Sequence, residues 1–112
     1  MILTIEQARE IYKEARIHEG ARIHSGAVIH PRAVIHPNVE IESGAVIERG
    51  VIVYRDALIC KGARIHEGAR VGSGATVSDG AVVGKFAYIC RDVFVAPNTV
   101  VEPDTVVEDN IF

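Results

Sequence analysis

The chain has 112 residues, of which 48% are hydrophobic and only 5% aromatic, so it is long enough for one domain with an aliphatic core. Its 12 basic and 15 acidic residues give a formal net charge of −3, which argues against nucleic acid and anionic membranes as partners. We expect a cytoplasmic location, because no apolar run approaches the roughly 20 residues of a membrane span, no signal peptide is recognisable, and two cysteines fit a reducing compartment.

The N-terminal segment predicts a short amphipathic helix. Thr4 followed by Gln7 fits a capping box at the start of this helix. One helical face would carry Ile5, Ala8, Ile11, Tyr12 and Ala15. We therefore predict a helix near residues 5–14 and assign residues 1–14 to a capping helix, which would cover one end of the domain that follows.

A repeat of six residues follows the helix. Ile or Val occupies every sixth position, and a small or slender residue, usually Ala, stands two places earlier. From Gly20 onward, Gly, Asn or Asp precedes the small residue, with Arg32 and Phe86 as departures. A period of six drifts out of phase with a helical stripe, so these residues are not helical. The predicted core residues are Ile17, Ile23, Ile29, Ile35, Ile41, Ile47, Val53, Ile59, Ile65, Val71, Val77, Val83, Ile89, Val95, Val101 and Val107.

The six-residue units predict short strands joined by tight corners. Alternation along a strand puts the Ile or Val and the small residue on the same side, and the Gly, Asn or Asp turns the corner. Three units would close a triangular coil of eighteen residues, and about five coils would stack at the ~4.8 Å strand spacing. Residues 15–112 would form this β-helix domain, with Ile111 and Phe112 folded over the last coil.

Two stretches illustrate a recognisable form of this pattern, IHSGA at residues 23–27 and VGSGA at residues 71–75. On this pattern, which covers roughly residues 14–109, the chain resembles the bacterial hexapeptide-repeat superfamily. The resemblance implies an all-β fold, a left-handed parallel β-helix; the left-handed sense comes from the resemblance alone. It also implies a homotrimer whose β-helices pack side by side.

Residues that flank each core position point outward and form rows with a spacing of eighteen residues. Two of the three faces carry apolar rows, and exposed apolar rows usually mark a subunit interface. Together with the resemblance, these rows predict self-association as a homotrimer. The alternative is that β-branched residues stand there only because they favour strands. The predicted interface residues are Val28, Val46, Val82, Val100, Val34, Ile52 and Tyr88.

One outward row offers weak candidates for metal binding. His30, Glu48 and His66 have the eighteen-residue spacing, so neighbours ~5 Å apart could share an ion, whereas all three could not without a partner chain. The gamma-class carbonic anhydrases have the same fold and bind zinc through three histidines, two of them five residues apart. No two histidines of this chain have that spacing. A degenerate metal site of that kind is therefore the least favoured hypothesis.

The resemblance also implies acyl transfer, usually of acetyl from coenzyme A to an amine or hydroxyl. In such enzymes a histidine is the general base, and backbone amides of the turns hold the thioester carbonyl. His66 is the candidate catalytic base, because it lies mid-domain beside Arg64 on a valine-rich face. The alternative interpretation is that His66 is a polar surface residue that pairs with Glu48 on a solvated edge. Acetyl-CoA is a predicted cofactor only if the chain is an acyltransferase.

Two classes of function remain open from the sequence. The repeat contains no inserted loop, and family enzymes generally use such a loop to wall the acceptor site. This absence favours a homotrimeric structural or assembly module without a catalytic loop of its own. The alternative is a minimal acyltransferase with His66 as general base. The residues do not decide whether the chain is an enzyme.

Overall fold

Each six-residue unit contributes one two-residue strand in the computed structural model, which describes residues 1–112. The second residue of every strand is buried and the first faces outward. The single helix, α1 (Ile5–Ile11), is too short to cross a membrane. The strands are β1 (Arg16–Ile17), β2 (Arg22–Ile23), β3 (Val28–Ile29), β4 (Val34–Ile35), β5 (Glu40–Ile41), β6 (Val46–Ile47), β7 (Ile52–Val53), β8 (Leu58–Ile59), β9 (Arg64–Ile65), β10 (Arg70–Val71), β11 (Thr76–Val77), β12 (Val82–Val83), β13 (Tyr88–Ile89), β14 (Phe94–Val95), β15 (Val100–Val101) and β16 (Val106–Val107).

Parallel pairing stacks these strands into three sheets. Strands three apart in sequence pair in register, so that Arg16 lies beside Val34, which is the predicted step of eighteen residues. The first sheet has the order β1-β4-β7-β10-β13-β16, the second β2-β5-β8-β11-β14, and the third β3-β6-β9-β12-β15. The molecule is therefore a three-sided parallel β-helix of about five turns, as predicted.

The interior consists of the repeating Ile and Val residues with small residues between them. All sixteen predicted core residues are buried, with exposures from 0% at Ile35 to 8% at Val107. The slender residues between them are buried too, except near the chain ends, where Ala15 and Thr99 are half-buried and Thr105 is exposed. So narrow an interior has little space for large rings, which explains the absence of Trp.

The corners of the coil require left-handed backbone. Gly44 has a φ of 79° and Asn38 a φ of 64° at two of the predicted corners. Arg32 and Phe86, which depart from the corner pattern, adopt the same conformation with φ values of 70° and 59°. This conformation costs an ordinary side chain about 1–2 kcal/mol. The stacking of coils, rather than the local residue type, therefore determines the corner geometry.

Helix α1 is shorter than predicted, because it ends at Ile11 instead of residue 14. The predicted capping box between Thr4 and Gln7 is present. Tyr12 leaves helical geometry, and its hydroxyl donates a hydrogen bond to the carbonyl of Ala27 at 2.6 Å. The chain must turn at this point, since the following residues have to reach the edge of the first coil.

Both edges of the second sheet are covered by the ends of the chain. Before the helix, the N–H of Leu3 donates to the carbonyl of Ile23 at 2.8 Å, which pairs the first residues with the edge of the second sheet. At the other end, Ile111 pairs with Val95 in the same sheet, and the Phe112 ring lies 6.0 Å from that of Phe94. Exposed strand edges are sites of aggregation, so these two segments protect the edges of the second sheet from pairing with another molecule.

Candidate active site

His66 lies in an outward-facing row on the third sheet, and this row follows from the register. Val46 pairs with Arg64, and Arg64 pairs with Val82, so the residues two places further along also stack on one another. The row consists of His30, Glu48, His66, Gly84 and Glu102. His66 therefore has a carboxylate on one side and a glycine on the other.

Glu48 and His66 form a hydrogen-bonded pair. Nδ1 of His66 lies 3.0 Å from Oε1 of Glu48, and the backbone N–H of Glu67 donates to the same oxygen at 3.2 Å. Nη1 of Arg64 lies 3.4 Å from the other carboxylate oxygen. Three groups therefore hold the carboxylate in position, and the carboxylate in turn orients the imidazole.

The electrostatics of the pair favour an ionised carboxylate. Burial by itself raises the pKa of Glu48, but the hydrogen bond and charge of His66, the N–H of Glu67 and the charge of Arg64 oppose this effect. Together they outweigh burial, so the pKa of Glu48 lies below its ordinary value. Glu48 is therefore a hydrogen-bond acceptor at neutral pH.

An ionised carboxylate can only accept hydrogen bonds, so Nδ1 of a neutral His66 must donate to it. The lone pair of the imidazole is then on Nε2, which has no hydrogen-bond partner in the chain. The side chain of His66 is 30% exposed and lines a cavity, so a ligand can reach the imidazole. An imidazole oriented in this way can take a proton from a nucleophile.

A cavity of about 280 Å³ adjoins His66. Gly84 forms part of its wall, and so does Lys85 at the following turn. Sequence reasoning missed both residues, although a glycine eighteen residues after His66 was a signal that space would be open there. The complete lining is His66, Val82, Gly84, Lys85, Val100, Val101 and Pro103.

Replacement of Gly84 by Ala is expected to destabilise the protein and distort this cavity. A Cβ at residue 84 would lie 2.5 Å from the nitrogen of Pro103 and 2.8 Å from the carbonyl oxygen of Val101, both in the backbone of the next coil. Overpacking of this kind lowers the free energy of unfolding by about 1–3 kcal/mol, which urea denaturation can measure. The matched control, Glu102→Ala, changes an exposed member of the same row and should have little effect. Equal stability of Gly84→Ala and the native protein would contradict the prediction.

The predicted metal candidates do not form a three-donor group. Glu48 contacts His66, but His30 is exposed and its side chain makes no hydrogen bond. The donor atoms that do lie within 4.8 Å of one another belong to Glu42, Cys60 and Asp79 on another face. The metal hypothesis for His30, Glu48 and His66 remains a prediction.

The thiol of Cys60 is a poor nucleophile. Burial, with smaller contributions from the negative charges of Glu42, Asp79 and Glu40, raises the pKa of Cys60 to about 11. The thiol is therefore protonated at neutral pH, whereas the thiolate is the reactive form. Cys60 is therefore not a candidate for proton transfer, whereas the imidazole of His66 is oriented by Glu48 beside a cavity.

A second row, on the first sheet, stacks three rings. The centroids of His18 and His36 are 5.0 Å apart and those of His36 and Tyr54 are 5.2 Å apart, with nearly parallel planes. Burial lowers the pKa of His36, and the charges of His18 and Arg55 lower it further. The neutral form of His36 is therefore favoured in the folded state.

The stability of the protein is expected to fall as the pH drops from about 7.5 through 6.5 and then through the lowered pKa of His36. The unfolded chain binds a proton on this residue at a higher pH than the folded chain, so acid favours unfolding. His36→Gln should flatten this part of the profile, and Arg55→Gln should flatten it partly. Urea denaturation at a series of pH values measures the slope. An unchanged slope in His36→Gln would contradict the assignment.

The predicted interface residues lie on the outside of the coil with various degrees of exposure. Val100 is 62% exposed, Val28 45% and Tyr88 38%. The half-buried members are Val34, Val46, Ile52 and Val82. Exposed apolar side chains are thus present where the trimer prediction requires them, and the assembly itself remains a prediction.

The sequence matches the family described as the GMPPB C-terminal domain over residues 11–112, and none of the curated proteins compared with it matches significantly. The acetyltransferase domain of PglB from Neisseria gonorrhoeae, in complex with acetyl coenzyme A, superposes with a TM-score of 0.56 at 16% identity. The match covers 83% of this chain and 50% of that one, so this chain spans half of its length. A mutant of AntD, an N-acyltransferase from Bacillus cereus in complex with dTDP and coenzyme A, has a TM-score of 0.51 at 12% identity. That match covers 99% of this chain and 82% of AntD. These likenesses confirm the hexapeptide-repeat, left-handed β-helix fold.

Proposed function

The chain belongs to the family of the GMPPB C-terminal domain, and it has the β-helix fold of acetyltransferase domains. We propose that it catalyses acyl transfer. The acyl donor would be acetyl-CoA, and the acceptor a small amine or hydroxyl compound. The observation that carries the proposal is the hydrogen bond of 3.0 Å between His66 and Glu48 beside the cavity.

In the proposed reaction, Nε2 of His66 accepts the proton of the acceptor as the acceptor nitrogen or oxygen attacks the thioester carbonyl. The C–S bond then breaks, and the imidazolium returns the proton to the departing thiolate. Glu48 keeps Nδ1 protonated and stabilises the positive charge that develops on the ring. The backbone N–H of Lys85 makes no hydrogen bond within the chain, so it is a candidate donor to the thioester oxygen.

The cavity beside His66 fits the thioester end of acetyl-CoA but not the whole molecule. A cavity of about 280 Å³ is smaller than the roughly 300–1,000 Å³ of a typical small-molecule site. Val82 and Val100 in its wall also belong to the predicted interface, so a second subunit would extend the cavity into a groove for the rest of acetyl-CoA. The proposal therefore includes a homotrimer.

A purely structural assembly module is the second candidate function. It is favoured by the uninterrupted repeat, because every connection between consecutive strands has the same length and no loop leaves the coil to wall an acceptor. A module of this kind needs the apolar rows but not an oriented imidazole. The pair between Glu48 and His66 would then contribute little, as exposed ion pairs generally do.

An assay of the native chain distinguishes the two candidates. Acetyl-CoA is incubated with a panel of amino sugars and amino acids, and the released thiol is followed with a thiol reagent; in parallel, acetyl-CoA is added in a thermal unfolding experiment. We expect acceptor-dependent thiol release and a rise in Tm, since a ligand that binds only the folded state stabilises it. No thiol release with any acceptor and no change in Tm would overturn the proposal in favour of the assembly module.

A further inference from the structure

A second and larger cleft lies at the other end of the molecule, between the end of helix α1 and the first two coils. Its volume is about 730 Å³, and it shares no residue with the cavity beside His66. The lining consists of Arg9, Lys13, Glu14, Ala15, Arg16, Ile17, Arg32, Ala33 and Val34. Neither the proposed acyl transfer nor the predicted trimer interface accounts for its charged side chains.

The cleft concentrates positive charge in an acidic protein. Four cationic side chains and one carboxylate line it, for a net charge of +3, whereas the whole chain carries −3. Arg16 and Arg32 have no carboxylate within 4.0 Å, whereas Lys13 has Glu10 at 3.5 Å and Arg9 has Glu19 at 3.9 Å, both outside the lining. A concave surface of one sign focuses the field and attracts ligands of the opposite sign.

The side chain of Arg9 and the backbone of Arg32 are held in place by the fold. Nη2 and Nε of Arg9 donate to the carbonyl of Ile17 at 3.0 and 3.1 Å. Arg32 stands at a corner with a φ of 70°, a conformation that most corners of this chain give to Gly, Asn or Asp. Phe86 has the same conformation at another corner, so the stack imposes it, and the case for Arg32 rests on its place in the lining of the cleft.

The floor of the cleft is apolar. Ile17 and Ala33 are buried at its base, and Ala15 and Val34 are half-buried. A bare inorganic ion would leave the half-buried Ala15 and Val34 uncovered, whereas an organic molecule with a phosphate group would contact both these side chains and the guanidinium groups. Guanidinium groups bind phosphate oxygens through paired, charge-assisted hydrogen bonds.

We propose that this cleft binds a phosphorylated small molecule, with Arg16 and Arg32 on the phosphate groups and the organic part against Ala15, at the border of the predicted interface residue Val34. Lys13 adds charge at the rim, and Arg9 supports the wall through its bonds to the first strand. The site does not depend on the acyl-transfer proposal, because it is two coils from His66 along the stack.

Isothermal titration of the full chain with ADP, inorganic pyrophosphate and adenosine tests this site. We expect ADP to bind, pyrophosphate to compete with it, and adenosine not to bind. The double variant Arg16→Gln with Arg32→Gly should weaken ADP binding by at least about tenfold, since each arginine supplies charged hydrogen bonds. Glycine suits the corner conformation, so this variant should fold, and its urea midpoint verifies that.

The matched control is Arg49→Gln with Arg91→Gln, which removes the same number of charges from exposed positions elsewhere. The ADP affinity of this control should stay within about twofold of the native value, because salt screens the interaction between ADP and distant charges. The proposal is overturned if ADP does not bind the native chain, if adenosine binds as tightly as ADP, or if both double variants lose affinity equally.

Discussion

Replacement of His66 by alanine is expected to reduce kcat/KM for acyl transfer by about 100- to 10,000-fold, the usual contribution of a general base. The variant removes Nε2, the imidazole nitrogen that has no partner within the chain. His30→Ala is the matched control, because it removes an exposed histidine from the same row without a carboxylate partner. The thiol-release assay measures both variants, and the control should retain native activity.

The variant Glu48→Gln tests separately how Glu48 orients the His66 imidazole and how its negative charge affects catalysis. The amide oxygen can still accept the hydrogen bond from Nδ1, but the negative charge that stabilises the imidazolium is lost. We therefore expect a smaller loss than in His66→Ala. Native activity in His66→Ala, or an equal loss in His30→Ala, would remove His66 from the mechanism.

Introduction of glutamate at Val46 and Val82 is expected to convert a trimer into monomers. Both residues lie on the third sheet on either side of Arg64, so two glutamates would add two negative charges beside one cation and leave at least one charge uncompensated in the interface. Sedimentation equilibrium should give the mass of one chain, 12.1 kDa, for the double variant and three times that mass for the native protein. The activity should fall with the trimer, because the proposed groove for acetyl-CoA needs a second subunit.

Leu58→Glu with Thr76→Glu is the control for this experiment. These residues pair on the second sheet, outside the predicted interface, and have similar partial burial. The control should remain trimeric, and urea denaturation should show that both double variants are folded. A native mass of 12.1 kDa, or an unchanged mass in the Val46 and Val82 variant, would refute the proposed interface.

The sequence predicted the core completely because two spacings are sufficient to specify it. The six-residue period determines which residue of each strand points inward, and the eighteen-residue step determines which strands pair. Ile17 and Ile35 therefore pair as expected, and every predicted core residue is buried. The same spacing placed Glu48 beside His66.

The end of the helix, the unusual corners and the two clefts depend on tertiary contacts, which the spacing of residues in the sequence does not specify. Helix α1 ends early because Tyr12 bonds to the carbonyl of Ala27, a contact that exists only after the first coil has formed. Arg32 and Phe86 adopt the corner conformation because the stack imposes it. The role of Gly84 depends on how closely the next coil approaches, and the cationic cleft depends on how the helix packs. The cytoplasmic location and the trimer remain predictions.

A crystal structure of the protein with coenzyme A and an acceptor tests the central proposal most directly. We expect the coenzyme thiol to enter the cavity lined by His66, Gly84 and Val100, between two subunits. The acceptor nitrogen or oxygen should lie within about 2.6–3.2 Å of Nε2 of His66. Coenzyme A bound away from His66, or a histidine whose Nε2 faces no acceptor atom, would contradict the proposal.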